Sequence, residues 1–125
     1  MQVLQFKPNE HVNLDQDRLG SLYAQLGAAG AEDVVCRALE ELALRMSHCD
    51  QLYRDGDWIT LRKNTRSLIA IADQIGMMML SRVASDVTHC IDNGDLTAVA
   101  ATLSRLLRIG ERSLTAIWDM GESDF

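Results

Sequence analysis

The chain has 125 residues, 47% hydrophobic and 24% charged, with a net charge of -6 and a pI near 4.9. That length and balance suit one globular domain rather than a disordered chain, and the acidity argues against nucleic-acid binding. No apolar run approaches the ~18 to 20 residues that cross a bilayer. The start, MQVLQFKPNE, has no basic region leading into an apolar block, so neither export signal nor membrane association is expected, and the expected location is cytoplasmic.

Residues 1–12 read as a loose arm containing the single proline, Pro8, with Val3, Leu4 and Phe6 available to lie across the domain. Asn13 is placed to cap a short first helix carrying Leu19, Leu22, Tyr23 and Leu26, which Gly27 and Gly30 end. A longer helix follows over 31–54. Its apolar stripe, Val35, Ala38, Leu42, Met46, Cys49 and Tyr53, advances in steps of three and four. Asp55-Gly56-Asp57 breaks the pattern, and Asp57 is a natural cap for the next helix.

That third helix, over 58–75, carries Trp58, Leu61, Thr65, Leu68, Ala72 and Ile75 on one stripe before Gly76 interrupts it. The fourth, 77–92, has Leu80, Val83, Ala84, Val87 and Ile91. Of Met77, Met78 and Met79, at least one must face outward, the others filling the core. Asn93-Gly94-Asp95 repeats the logic of the first break. The last helix runs to 118 with Leu96, Val99, Leu103, Leu106, Gly110, Leu114 and Ile117 facing in, and 119–125 form a polar tail. Connections of two to four residues bring successive helices back antiparallel. The expected fold is therefore all-α: one domain over 13–118, an antiparallel up-down-up-down four-helix bundle with an additional short N-terminal helix.

The stretch RSLIAIADQIG, 66–76, lies in the third helix. It begins nine residues after Asp57 of an Asp-Gly-Asp turn and ends on Gly76, with a leucine at 68; HCIDNGD, 89–95, forms a second such turn. In this arrangement the chain resembles the histidine-containing phosphotransfer (HPt) family, four-helix bundles that shuttle phosphoryl groups between receiver domains. The resemblance implies an exposed histidine at position 66, with lysine at 69 and glycine at 70. The chain has Arg66, Ile69 and Ala70 there, and the glutamate of the second turn is unmatched. A phosphorelay histidine acts through a neutral ring nitrogen, whereas a guanidinium keeps its proton and has no lone pair to attack with. The resemblance thus implies a degenerate member, not an enzyme, that keeps the fold and the partner, a receiver domain of a response regulator or hybrid kinase, without carrying phosphate.

Other chemistry is thinly represented. His11, His48 and His89 lack the leucine, lysine and glycine that would surround a phosphoacceptor. The pairs His48-Cys49 and His89-Cys90 use zinc-type ligands, but adjacent helical residues diverge by about 100° and share a metal poorly. No metal and no cofactor are expected. The three cysteines, Cys36, Cys49 and Cys90, sit among apolar residues and are read as reduced core residues.

Arg62, Lys63 and Arg66 share the outer face of the third helix, three cations with no acid beside them in an otherwise acidic chain. Ile59, Ile69 and Ala70 adjoin them as an apolar surface. A basic, partly apolar face suits the carboxylate cluster of a receiver domain, and these six residues are the expected partner-binding site. A merely solvated charged face is the plain alternative. Two other functions stay open: phosphotransfer through a histidine outside the motif, and a structural bundle that assembles into oligomers, whose oligomeric state the sequence does not set.

Overall fold

The computed structural model describes residues 15–123, with side chains over 15–116. Four helices account for its regular structure: α1, Gln16–Asp55; α2, Trp58–Gln74; α3, Met78–Asp92; and α4, Leu96–Ser123. No strand occurs among the described residues, and no helix there is long and apolar enough to cross a membrane. α1 packs on α2 and α4, and α3 packs on the same two, which closes a four-helix bundle around one core.

Three helices start the same way. Asp15, Asp57 and Asp95 each accept a hydrogen bond from the backbone N–H three residues on, all at 3.1 Å. Each carboxylate satisfies a free amide and sits favourably at the positive end of the helix dipole. α3 has no such cap. The chain enters it from a tight corner at Gly76, where φ is +80°. The Gly76 carbonyl accepts a 2.7 Å hydrogen bond from the N–H of Asp15, and a Cβ at Gly76 would come within 2.9 Å of the Asp15 carbonyl oxygen. Only glycine combines that left-handed backbone with so close an approach. Arg18 Nε donates to the Asp73 carbonyl at 2.9 Å, so the start of α1 is tied to this corner twice.

Within α1 the helical backbone is broken at one residue, Gly27 (φ 77°, ψ 168°). The expected break therefore occurs, but at Gly27 alone; Gly30 lies in continuous helix. The cap expected at Asn13 lies outside the described residues, and α4 continues past 118 to Ser123.

The core follows the helical stripes. Ala38, Leu42, Met46 and Cys49 of α1, Leu61, Leu68, Ala72 and Ile75 around α2, Leu80, Val83, Ala84 and Val87 of α3, and Val99, Leu103 and Leu106 of α4 are buried together. Met77 fills the core, Met79 is half-buried and Met78 faces out. Several expectations need correction. Leu96, in the first turn of α4 at the bundle's end, is 52% exposed, and Tyr23 and Leu26, beside the Gly27 break, are 41% and 48% exposed. Cys36 is exposed because it lies half a turn away from the Ala38-Leu42-Cys49 stripe; only Cys49 is a fully buried cysteine. Gly110 is buried where α4 meets α1, and a methyl there would overlap the thioether of Met46.

Candidate functional site

The site is built from the inside of α2 outward. Its inner face is pinned on two sides by polar side chains as well as by leucines. Towards α1, buried Asn64 donates through Nδ2 to the Arg45 carbonyl (2.6 Å) and the Cys49 sulfur (3.2 Å), and its Oδ1 accepts from Arg45 Nη1 at 3.2 Å. Arg45 Nε lies 2.7 Å from Glu41 Oε2 in an ion pair that is out of line for a hydrogen bond. Towards α3, the hydroxyls of Thr65 and Thr88 stand 2.9 Å apart; Thr65 also reaches the Arg62 carbonyl and Thr88 the Ala84 carbonyl. Two hydroxyl protons serve these three contacts, so one carbonyl goes unbonded by a hydroxyl at any moment.

With Leu61, Asn64, Thr65, Leu68 and Ala72 inside, the 100° step of the helix sends 59, 62, 63, 66 and 70 to the other side. Ile59 is 74% exposed, and Lys63, Arg66 and Ala70 are exposed as well. Among the described residues, neither Lys63 nor Arg66 makes an ion pair or a side-chain hydrogen bond. Ile69 departs from the expected exposed surface: it is half-buried, with part of its side chain packed on the core.

Arg62 also departs from expectation. It is held by Asp92 at the end of α3 in a fork of two contacts, Nε–Oδ1 at 2.5 Å and Nη2–Oδ2 at 3.2 Å. The face therefore has an adjacent acid, supplied by a residue 30 positions away. The hydrogen bond from Arg62 does most to hold the Asp92 carboxyl below its ordinary range; the charges of Arg62, His89 and Arg66 act in the same direction, against a partial loss of hydration. The Arg62 guanidinium is correspondingly pushed up by Asp92. Arg62 thus ties α2 to α3, leaving Lys63 and Arg66 as the cations whose charge is presented outward.

At position 66, then, an exposed guanidinium stands at the centre of a face edged by Ile59 and Ala70. It can bind a carboxylate or phosphate in a planar fork but cannot become a nucleophile. The histidines lie elsewhere: His48 is exposed on α1, His89 is exposed at the end of α3, and His11 is outside the described residues. No group of three histidine, cysteine or acidic side chains able to hold a metal occurs among the described residues. The Cys49 thiol is pushed up to about 11, chiefly by burial, with the Asn64 hydrogen bond opposing. It is an inert core group rather than a reactive one.

The partners of Asn64 and Arg62 were not legible in sequence. An asparagine in the middle of a helix is a weak signal, and a contact across 30 residues leaves no local pattern. No protein-family model matches the chain, and no curated protein or solved structure matches it significantly.

Proposed function

We propose that the chain is an HPt-like signalling interaction module without phosphotransfer activity, which binds a receiver domain of a response regulator or hybrid kinase. Its architecture on this reading is an antiparallel up-down-up-down bundle, the residues before Gly27 forming the additional N-terminal helix. The Arg62–Asp92 and Thr65–Thr88 contacts support that course, since each joins the first half of α2 to the second half of α3. The observation that carries the functional reading is the exposed Arg66, without an ion pair or side-chain hydrogen bond among the described residues, at the position where the resemblance implies an acceptor histidine, flanked by exposed Ile59, Lys63 and Ala70.

On this reading Arg66 enters the partner's acidic pocket, Lys63 steers the encounter, and Ile59, Ala70 and the outer edge of Ile69 provide apolar contact. Arg62 contributes by holding α2 against α3 through Asp92 more than by meeting the partner directly. Surface-plasmon kinetics against candidate receivers at two salt concentrations test this. Arg66→Ala should shorten the complex lifetime, losing about 2–5 kcal/mol by leaving partner carboxylates unpaired, and Arg66→Glu should abolish binding. Lys63→Ala should slow association by an amount that shrinks in high salt. A receiver that binds all three variants like the parent would leave α2 a merely solvated face.

Phosphotransfer through a histidine outside the motif is the second reading, and His89 is its best residue, being exposed and close enough to Asp92 to favour the ionised carboxylate. Incubation with acetyl phosphate followed by intact-mass measurement separates the two. A phosphoryl adduct that disappears in His89→Gln would favour this second reading.

A further inference from the structure

A second basic surface lies away from α2. Between α3 and α4 runs an open groove of about 300 Å³ lined by Met79, Arg105, Arg108, Ile109 and Arg112. Three of the chain's 12 cations therefore border one groove in a molecule whose net charge is -6. Among the described residues they are poorly neutralised from within. Asp86 approaches Arg105 only to 4.0 Å, with both side chains about half-exposed. Arg108 donates to the Ser104 hydroxyl at 3.0 Å rather than to an acid. Arg112 makes no ion pair or side-chain hydrogen bond among the described residues, and the nearby acid in sequence, Glu111, is exposed.

We propose that this groove is a docking surface for an acidic amphipathic helix of a partner protein. The arginines stand at i, i+3 and i+7 of α4, so they extend along roughly 10 Å of helix. A small anion with one acidic group reaches one or two of them, whereas a helix with acids at the same spacing places a carboxylate opposite each. Guanidinium groups grip carboxylates in planar forks and shed water more readily than lysine, which suits a contact that becomes buried. Ile109 is buried beneath the arginines, so half-buried Met79 supplies the apolar contact for the ligand helix, and its thioether adapts to the shape of what it meets. The partner's acids also match a field that most of this acidic chain would oppose, which favours docking on a basic surface such as this one.

The test uses the full-length chain and a fluorescently labelled synthetic helical peptide with glutamates at i, i+3 and i+7 beside a leucine stripe. Anisotropy should report saturable binding that weakens with salt. The double variant Arg105→Ala/Arg112→Ala should lose at least about tenfold in affinity while keeping its thermal melt, equivalent to about 1.4 kcal/mol. Arg66→Glu, on the other basic surface, should leave the peptide's affinity unchanged. Equal binding of a glutamine version of the peptide, or loss of binding with Arg66→Glu and not with the double variant, would overturn the proposal. So would binding of anionic-lipid vesicles but not the peptide, or self-association of the parent that the double variant removes, since the occupant would then be a membrane or a second copy.

Discussion

The two faces of α2 have nearly the same number of polar residues and opposite fates. On the inner face, Asn64 and Thr65 are buried and every polar atom finds a partner on α1, on α3 or on the helix's own backbone. On the outer face, Lys63 and Arg66 are exposed and face solvent beside an isoleucine that leaves most of its surface uncovered. The difference teaches where specificity resides. Inner polar groups cost much if unpaired and so fix the register of three helices; outer ones cost nothing to present and are free to be matched by another molecule.

That contrast can be broken most forcefully at Leu68. Leu68→Ala removes a fully buried side chain and should cost about 2–5 kcal/mol in urea unfolding. A variant as stable as the parent would mean that α2 turns a different side inward. Alkaline pH probes the same face. Burial pushes the Cys49 thiol up from its ordinary 9.0 to about 11, so its contribution is fully present below pH 9 and is lost as pH rises through 11. By then the loss should amount to roughly 2–3 kcal/mol. Cys49→Ala should lack that part of the alkaline fall when the two unfolding curves are compared.

Asn64→Ala should cost about 1–3 kcal/mol, since it leaves Arg45 without its amide partner in a partly buried setting. At the small end, Arg66→Ala and Ile59→Ser should each change stability by no more than about 0.5 kcal/mol. A large loss from either would show that the outer face helps to hold the fold, and would weaken its reading as a surface kept for a partner.

The bundle was legible because period and punctuation agree. The stripes through Leu42, Leu68, Val83 and Leu106 advance by three and four, and Asp57 and Asp95 cap the helices that follow the two breaks. The turn at Gly76 was legible as an interruption, but its reason, the approach of Asp15, depends on a segment 61 positions away (76 minus 15). The site was legible only in outline. Helical spacing put Ile59, Lys63, Arg66 and Ala70 on one side, yet it could not show that Asp92 takes Arg62 or that Ile69 leans inward, because both depend on how α3 lies against α2. The arginines of α4 were overlooked for the same reason: their groove exists only once Met79 of α3 is beside them.

The joint at Gly27 gives the molecule two levels of cooperativity. Ahead of it, residues 16–26 bury one side chain, Leu19, and are fastened to the rest by the Asp15–Gly76 and Arg18–Asp73 hydrogen bonds. Peptide units on either side of a non-helical residue do not share one hydrogen-bonded ladder, so undoing those fastenings does not require α2 or α3 to unravel. Amide protons in 16–26 should therefore exchange with solvent through a smaller opening, and sooner, than those around Leu68 and Val83, whose release demands that the whole bundle come apart.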